Sequence, residues 1–389
     1  MYYNNETKEN CMKKMKNWRP SASLLAGAAL LGLLVLLVPI VRIMRDAVPF
    51  SDDYGYGYFA KLGYLMGKNL PGVLMGVWEN VKHTWWTWQG TYSSIFLMSL
   101  VPLVWGEQYY FWGLLFILLL LIGGVFALVK ALVVDVLQGG WQQCLYIQAV
   151  TAALVVELMY YPAEGLFWYN GGIHYVGMHG FAMLLLASLI CLSEWKKGRI
   201  RKGLLIAASM ILALIVAGSN YVTALQTFLV FLTIIVAGAL LHRNIKNLLR
   251  LLPAFCVYSI GFYKNLAAPG NTARAEALGN PGMAPLQAIL FSFKEAFSHM
   301  WEYTGWMTIV VMLVLLPMIL QLVSTTKFRF RLPWLLPVWS VCLYATGFTS
   351  SLYSLGHGGV PRTLNAVKIT WQVLLVVNEI YLVGAIWQQ

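Results

Sequence analysis

The sequence predicts an all-α fold: a polytopic transmembrane helical bundle of about eleven spans, forming one integral membrane domain over residues 1–389. Hydrophobic residues make up 59% of the chain and charged residues only 11%. No water-soluble fold requires so large an apolar share. The apolar residues also form runs long enough to cross a bilayer, separated by short polar segments. These two observations leave no room for a large soluble domain.

The first apolar run covers residues 21–41 and follows a basic tail, residues 1–20. The run is too long for the h-region of a signal peptide, and no small-residue cleavage site follows it. We therefore expect a retained first helix preceded by a cytoplasmic tail. Residues 42–91 then form the first outer loop.

Ten further apolar runs follow, at about 93–105, 109–134, 141–158, 173–193, 204–218, 222–241, 249–263, 304–325, 333–349 and 370–388. Sixteen of the 27 basic residues lie in four short clusters between runs, at 8–19, 196–202, 243–250 and 327–331. Such clusters mark cytoplasmic loops. They also argue against nucleic acid as the partner of this chain of net charge +12, because no continuous basic stripe forms.

With the basic loops inside, segments 159–172, 264–303 and 350–369 and the turn at Ser219 and Asn220 lie outside. One inconsistency remains in this topology. Residues 42–91 and 159–172 are both outside, so the chain must cross an even number of times between them, yet three runs are predicted there. Either one run is broken into half-helices or one does not span; the short run at 93–105 and the run at 141–158, which starts polar, are the two suspects.

The outer loops contain helices of their own. Residues 61–66 and 73–78 flank Pro71 and are typical of two short helices lying in the membrane interface. Residues 264–274 form a glycine- and proline-containing turn that ends in Arg274. After it, an amphipathic helix is predicted, since apolar residues recur at helical spacing opposite a polar face. The apolar set is Leu286, Ile289, Leu290, Phe293, Phe297, Met300 and Trp301, and the polar set is Lys294, Glu295 and Glu302.

An acidic pair, Asp52 and Asp53, directly follows the first run. The chain has only four aspartates, and a carboxylate close to hydrocarbon must be solvated or paired. The pair is therefore the candidate catalytic site. With Ser51 it is equally suited to cap a helix or form a turn, and the residues alone leave both interpretations open.

Side chains that could bind a substrate collect in the outer loops. Trp88 lies in a tryptophan-rich segment that suits either an aromatic belt or a surface on which a sugar stacks. Group transfer from a lipid phosphate requires three kinds of side chain. A carboxylate acts as general base, a cation holds the departing phosphate, and aromatic rings orient the sugar. The candidates are Tyr54, Trp88, Glu164, Trp168, His174, Tyr175, Lys264, Asn271, Arg274, His357 and Arg362.

Each of these features has a second interpretation. The cations also suit binding of lipid headgroups or loop carbonyls. The acidic pair also suits a divalent cation such as Mg²⁺ or Mn²⁺, which would stabilise a leaving phosphate. Two carboxylates are few for a metal site built by protein alone, so no metal is assigned. Walker A, GxGxxG, GxSxG and HExxH motifs are absent from the sequence.

The layout resembles the GT-C superfamily of polytopic membrane glycosyltransferases, and within it a large uncharacterised bacterial family of GT-C-like membrane proteins. The resemblance is carried by residues 52–54, 85–90, 164–175 and 269–271 and by Arg274. It implies a polyprenyl-phosphate-linked sugar as donor and an envelope glycan, lipid or protein as acceptor, at the outer face of the cytoplasmic membrane. It further implies Asp52 or Asp53 as general base and Arg274 or Arg362 as the phosphate contact. The segment Gln89–Gly90–Thr91 departs from the pattern, in which an arginine often follows the glycine.

Three other functions stay open. A polymerase or ligase of lipid-linked oligosaccharides would use a diphosphate donor and need more cations in the outer loops. A flippase or transporter of lipid-linked glycans would line a path through the bilayer with ionisable residues, for which Lys130, Glu157 and Glu379 are the candidates. A non-catalytic scaffold of an envelope complex would tolerate loss of the acidic pair.

Overall fold

The computed structural model describes residues 21–194, 199–242, 245–279 and 282–389. Across these ranges the chain is all-α, as predicted, and contains no β-strand. The predicted tail, residues 1–20, lies outside the described residues. In chain order the helices are α1 (Ala22–Asp46), α2 (Asp52–Gly67), α3 (Leu70–Thr87), α4 (Tyr92–Ser99), α5 (Glu107–Val136), α6 (Trp141–Glu157), α7 (Pro162–Leu166), α8 (Tyr169–Ser193), α9 (Arg199–Ala217), α10 (Tyr221–Ala237), α11 (Ile245–Leu266), α12 (Pro269–Leu278), α13 (Pro285–Thr325), α14 (Leu335–Leu355) and α15 (Pro361–Gln388).

Within the described ranges, eight of these helices are long and apolar enough to cross a membrane: α1, α5, α8, α9, α10, α13, α14 and α15. The chain is therefore a multi-pass membrane protein. The predicted count of about eleven spans is not confirmed. The predicted runs at 141–158 and 249–263 form α6, with 17 residues, and α11, with 22 residues. Both helices pack against spans of the bundle.

The predicted span at 93–105 is wrong. Its helix, α4, has 8 residues, which extend only about 12 Å, less than half of the roughly 30 Å hydrocarbon core. Pro102 then begins a single 3₁₀ turn, and Gly106, at a φ of 150°, redirects the chain into α5. Two helices, α5 and α6, are left between segments 42–91 and 159–172, and of these α5 is long and apolar enough to span while α6 has 17 residues.

The helices enclose three apolar cores. The largest lies between α1 to α6, α8, α13 and α15. A second lies where α13, α14 and α15 meet, and a third joins α8, α9, α10 and α11. Outward faces are apolar as well: Leu31 is 63% exposed and Leu313 is 63% exposed. Apolar residues on both the inside and the outside are typical of helices whose solvent is lipid.

The two helices predicted around Pro71 are present and longer than expected. α2 and α3 form an antiparallel hairpin joined at Lys68, which is left-handed at φ 48°. Glycines allow the two backbones to touch, since a Cβ on Gly63 would lie 2.1 Å from the Gly72 carbonyl oxygen and one on Gly76 2.1 Å from that of Phe59. Asn69 caps α3 by accepting a 2.8 Å hydrogen bond from the Gly72 N–H.

The prediction of a turn over residues 264–274 is wrong in most of its length. α11 continues to Leu266, and Pro269 begins the ten-residue α12. Proline suits this first position because its fixed φ is already helical and the N–H it lacks would be unpaired there. The amphipathic helix predicted after it is the first half of α13, which bends at Gly305 (φ 41°) before continuing as a span.

α8 starts at Tyr169 and α15 at Pro361, ahead of the predicted runs at 173–193 and 370–388. Arg362 therefore lies on a helix rather than in a loop, and His174 and Tyr175 lie on α8, within the predicted run. The first turns of α8 meet the starts of α2 and α10, and the start of α12 meets the start of α10, at one end of the bundle, called the site end below. Hydrogen bonds join these segments, including Trp168 Nε1 to the Phe50 carbonyl at 3.1 Å and Asn220 Nδ2 to the His174 carbonyl at 2.6 Å.

Candidate functional site

Asp53 is fully buried and holds three segments of the site end together. Its Oδ2 accepts hydrogen bonds from the Phe50 N–H at 3.0 Å and the Tyr110 hydroxyl at 2.6 Å. Its Oδ1 accepts from the Asn170 N–H at 3.0 Å, in the first turn of α8. Burial raises the pKa of Asp53, and these three hydrogen bonds oppose the rise. The carboxylate therefore serves as the acceptor for a helix N-terminus, which is the capping role that the sequence also allowed.

Asp52, in contrast, is exposed at the start of α2. Tyr56 lies one turn further along the helix, and the charges around its hydroxyl affect its pKa. Burial raises the pKa of Tyr56 to about 12; the Asp52 carboxylate adds to the rise, and the guanidinium groups of Arg274 and Arg362 oppose it. One carboxylate and two arginines from distant parts of the sequence thus lie within electrostatic range of a single phenol.

Arg274 is held on α12 without an acidic partner among the described residues. Its Nη1 donates a 2.8 Å hydrogen bond to Gln89 Oε1, and its guanidinium lies over the Trp88 ring at 5.3 Å. Its Nε is buried and has no hydrogen-bond partner in the part of the chain that the structure describes. Since both of its described contacts are neutral, the full positive charge of Arg274 remains available to an anion.

Arg362, on the first turn of α15, has a different environment. Its backbone N–H donates to Glu164 Oε2 at 3.1 Å, and its Nη1 lies 3.7 Å from the same oxygen. Its guanidinium lies over the Trp168 ring at 5.6 Å. Glu164 offsets part of this positive charge, and the Arg362 side chain is 37% exposed, so the ion pair is only moderately strong.

Asn271 uses its whole amide within the protein. Its Oδ1 accepts from the Gly90 N–H at 3.1 Å and the Tyr221 hydroxyl at 2.5 Å. Its Nδ2 donates to the carbonyls of Asn265 and Leu266, both at 3.0 Å. The side chain predicted to bind substrate therefore positions α12, and with it Arg274, against the end of α11.

The turn at residues 88–90 packs against the junction of α11 and α12, and only a glycine fits at position 90. A Cβ on Gly90 would lie 1.9 Å from the Asn265 carbonyl oxygen, and one on Gly270 would lie 2.6 Å from the Trp88 nitrogen. These close approaches carry Gln89 and Trp88 to the Arg274 guanidinium. Gln89 and Gly90 are thus part of how the arginine is held.

His174 and Tyr175 lie on the first turns of α8 with their rings edge to face, 4.6 Å between centroids. The charges of both Arg274 and Arg362 act on the His174 ring. Within the described ranges its Nδ1 is buried without a hydrogen-bond partner, as are both side-chain amide atoms of Asn170. Unpaired buried polar atoms are rare in folded proteins, and here they lie on the helix start that faces the two arginines.

Three predicted site residues are not brought into this cluster by any described contact. Tyr54 is 52% exposed on α2. Lys264 is exposed in the last turn of α11. His357 is exposed in the turn before α15, where its Nδ1 accepts from the Gly359 N–H at 3.2 Å.

Sequence reasoning missed four residues that shape the site: Tyr56, Gln89, Tyr110 and Asn170. Tyr56 was detectable in principle, because the spacing of four residues from Asp52 places both on one face of a helix. Tyr110 carried no signal, and Asn170 none beyond its place in residues 164–175, since their roles arise only from contacts with Asp53 across the fold.

Within the described ranges, no group of three or more His, Cys, Asp or Glu side chains could hold a metal ion. Asp53 also offers little to a cation, because both of its oxygens face N–H or O–H donors. The donor set at the site end is therefore suited to an anion rather than to Mg²⁺ or Mn²⁺.

No protein-family model, curated protein or solved structure matches the chain.

Proposed function

We propose that the chain is a membrane glycosyltransferase of GT-C type. It transfers a sugar from a polyprenyl-phosphate-linked donor to an envelope glycan, lipid or protein acceptor. The observation that carries the proposal is the contact between the segments that bear Arg362 and Asp52. The Arg362 guanidinium lies over the Trp168 ring, and Trp168 Nε1 donates to the carbonyl of Phe50, two residues before Asp52. The charges of Asp52, Arg274 and Arg362 all act on the Tyr56 phenol, which supports the proposal. A general base beside two cations is the arrangement that transfer from a phosphate-linked donor requires.

In this proposal the site end faces the outside of the cytoplasmic membrane and the N-terminal tail is cytoplasmic. α6 and α11 cross the bilayer together with the eight candidate spans. The support is the distribution of positive charge: Arg201, Lys202 and the basic residues at 327–331 all lie at the end of the bundle opposite the site. That is the asymmetry expected of cytoplasmic loops.

Asp52 is the proposed general base and Asp53 a positioning residue. Asp52 is exposed and free to approach an acceptor, whereas the Asp53 oxygens are occupied by three donors. The Asp52 carboxylate takes the proton from the acceptor hydroxyl while the oxygen of that hydroxyl bonds to the anomeric carbon. The bond from the anomeric carbon to the phosphate oxygen breaks, and its electron pair leaves with the polyprenyl phosphate.

Arg274 is the proposed primary contact of the departing phosphate, because its guanidinium has no carboxylate partner among the described residues. Arg362, shared with Glu164, is the second contact. The Trp88 and Trp168 rings already pack on these guanidiniums. They also form aromatic walls against which the apolar face of a sugar fits.

The transport alternative receives less support. Lys130 is paired with Asp135 at 3.3 Å at the end opposite the site, while Glu157 is exposed at the site end. Glu379 lies within α15. No described hydrogen bond or ion pair links these three residues into a path across the bundle.

The test compares Asp52→Asn with Asp46→Asn in cells that lack the native protein. Asp46 is a matched control, because it is another exposed aspartate near the site end and is the last residue of α1. At equal membrane abundance, polyprenyl-linked sugars and envelope glycans are measured by mass spectrometry. We expect Asp52→Asn to accumulate the donor and to lose one glycan modification by about a hundredfold or more, as for loss of a general base.

Asp46→Asn is expected to match wild type. If Asp52→Asn also matches wild type, the glycosyltransferase proposal is overturned and transport or scaffolding takes its place. If Asp46→Asn and Asp52→Asn lose the glycan equally, Asp52 has no special role in the chemistry.

A further inference from the structure

A second group of polar and aromatic side chains lies at the site end, around Tyr303 in the first half of α13. The His299 ring stacks on the Tyr303 ring with 5.3 Å between centroids. The Tyr160 and Tyr344 rings lie edge to face with it at 5.4 and 6.2 Å. The Lys368 ammonium of α15 lies over it at 5.7 Å. Four segments that are far apart in the sequence therefore meet at one phenol. These five residues and Glu302 are called the Tyr303 cluster below.

Two hydroxyl groups of the Tyr303 cluster lack a partner in the part of the chain that the structure describes. The Tyr303 and Tyr344 side chains are fully buried, and neither hydroxyl forms a hydrogen bond there. A buried hydroxyl without a hydrogen bond is costly and rare in folded proteins. The two phenols therefore require a polar partner that is not one of the described residues.

The charged groups of the cluster are accessible and are not fully paired with one another. The Glu302 side chain is 55% exposed, and its Oε2 lies 3.1 Å from His299 Nδ1. Lys368 is partly buried and forms no ion pair with any described residue. The Glu302 charge nevertheless acts on the Lys368 ammonium. A ligand group that both donates and accepts hydrogen bonds would satisfy the two charges together.

The Tyr303 cluster adjoins the proposed active site. The Tyr175 ring lies 4.6 Å from that of His174 and also packs against the apolar core that contains Tyr303. Glu295 of α13 contacts the turn that precedes α15, where a Cβ on Gly358 would lie 2.8 Å from Glu295 Oε2. A ligand at the cluster would therefore lie beside the proposed active site, on the side of α13 and α15.

The chemistry of the cluster suits a carbohydrate. An ammonium only donates hydrogen bonds, a carboxylate only accepts them, and a phenol does both. A sugar hydroxyl also does both, and neighbouring hydroxyls of one ring reach several such groups at once. The partly exposed Tyr160 ring adds an apolar face against which a sugar packs. Glu295 and Glu302 outnumber the single ammonium of Lys368, so the cluster disfavours a phosphate, unlike the surroundings of Arg274.

We propose that the Tyr303 cluster binds the acceptor and that the acceptor is a carbohydrate, held through its hydroxyl groups by Glu302, Lys368 and the Tyr303 phenol. This inference rests on the proposed function. It narrows the acceptor from a glycan, lipid or protein to a molecule that presents a sugar to the site. The cluster supplies binding, while the chemical step remains with Asp52 and the two arginines.

The test uses the purified full-length protein in detergent and two fractions of the strain that lacks it. A lipid extract supplies the donor at constant concentration, and dilutions of an envelope fraction supply the unmodified acceptor. Mass spectrometry measures the modified glycan. We expect Glu302→Gln and Lys368→Gln each to raise the amount of acceptor needed for half-maximal transfer by about tenfold, as for loss of a hydrogen bond to a charged group. Transfer at saturating acceptor should stay that of wild type.

Matched controls exist for both substitutions. Glu79 is 60% exposed and pairs with Lys82 three residues on, as Glu302 pairs with His299. Lys294 is an exposed cation on α13 itself. Glu79→Gln and Lys294→Gln are expected to keep the acceptor dependence of wild type.

Tyr303→Phe separates a binding role from a structural one. It removes only a hydroxyl that has no partner among the described residues, so the unfolding temperature should equal or exceed that of wild type. If the hydroxyl contacts the acceptor, the same variant needs more acceptor for half-maximal transfer. Unchanged acceptor dependence in folded Tyr303→Phe, Glu302→Gln and Lys368→Gln would overturn the proposal.

The chemical class of the acceptor is tested on the envelope fraction itself. Periodate, which cleaves the carbon–carbon bond between neighbouring hydroxyls, is quenched before the assay and should abolish transfer. Protease, inactivated before the assay, should leave it intact. The opposite pair of results would identify a protein acceptor and overturn the proposal.

Asp52→Asn in the same assay shows which idea fails. If it abolishes transfer while the three cluster variants behave as wild type, the acceptor site lies elsewhere and the proposed function stands. If Asp52→Asn transfers as wild type does, the proposed function is overturned, and the present inference with it.

Discussion

The Tyr110 hydroxyl donates a 2.6 Å hydrogen bond to Asp53 Oδ2 and at the same time accepts one from the Tyr169 N–H at 2.9 Å. Asp53 also accepts directly from the Asn170 N–H. Two adjacent N–H groups that α8 leaves unpaired at its start are thus satisfied, one by the carboxylate and one through the phenol. This relationship fixes α2 against α5 and α8, and it sets the place where Asp52 emerges.

The first prediction concerns Asp53→Asn. An amide offers one acceptor oxygen and a donor NH₂ group, but donors face both oxygens of Asp53. At least one donor would then face another donor, so we expect a loss of about 1–3 kcal/mol in the free energy of unfolding. Thermal unfolding of the purified protein in detergent measures it. Asp46→Asn, at an exposed site, should stay within about 0.5 kcal/mol of wild type; equal unfolding temperatures for both variants would contradict this role of Asp53.

The second prediction uses the titration of Tyr56. Its pKa in the folded protein is raised from 10.0 to about 12. Tyrosine is charged when deprotonated, so its stabilising contribution is full below pH 10 and is lost between pH 10 and about 12. The resonance of ¹³Cζ-tyrosine, assigned by comparison with Tyr56→Phe, follows this titration by NMR.

The same resonance tests the convergence of charges at the site. Asp52→Asn should lower the pKa of Tyr56, because it removes a negative charge, whereas Arg274→Gln and Arg362→Gln should each raise it. Lys264→Gln is the control, as an exposed cation at the end of α11, and should leave the midpoint in place. If none of the three site variants changes the titration midpoint of Tyr56, these residues do not share one site.

The third prediction compares two glycines. Gly90→Ala introduces a Cβ 1.9 Å from a backbone oxygen, and that backbone cannot move like the end of a flexible side chain. We expect a loss of about 1–3 kcal/mol, as for overpacking. Gly55→Ala, on α2, meets no atom within 4 Å and should stabilise the helix by up to about 1 kcal/mol. Unfolding temperatures measure both, and a Gly90→Ala variant as stable as wild type would refute the close fit of the turn.

A chain of polar contacts crosses the interior from the site end. Asn220 Nδ2 donates to Thr223 Oγ1 at 3.0 Å, and Thr223 Oγ1 lies 3.2 Å from His179 Nδ1. On the other side of the ring, His179 Nε2 is 2.9 Å from Thr370 Oγ1, which lies 2.8 Å from Gln226 Oε1. These contacts tie α8, α10 and α15 together, and all five side chains are buried.

The fourth prediction follows from this chain. Thr370→Val keeps the shape of the side chain but leaves the His179 and Gln226 groups without their shared partner. We expect a loss of about 0.6–1.7 kcal/mol, the range for hydrogen bonds between membrane helices. Thr346→Val is the control, because its hydroxyl donates only to Leu343 of its own helix. Equal unfolding temperatures for the two variants would show that the chain adds nothing to the packing of the three helices.

Periodicity and composition predicted what each local segment would become. The apolar runs gave most of the membrane helices, and Pro71 marked the joint between α2 and α3. The predicted boundaries were wrong where helices continued into polar sequence, as at Tyr169 and Pro361, because side chains from other segments accept hydrogen bonds from the backbone N–H groups of these first turns. The prediction of a span at 93–105 was wrong for the opposite reason, since Pro102 and Gly106 end a segment that is apolar enough to span.

By itself the sequence determined the fold class, the pair of aspartates after the first helix, and the polar and aromatic character of the segments that form the site end. Hydrophobic runs and charge clusters are local properties, so a sequence displays them directly. Only the tertiary structure separated the two aspartates, burying Asp53 under Tyr110 and leaving Asp52 exposed beside Tyr56. It also gave Asn271 a positioning role and left Arg274 without an acidic partner among the described residues. These distinctions depend on which donors and charges arrive from distant segments, and burial and Coulomb energies are set by distances that no local pattern encodes.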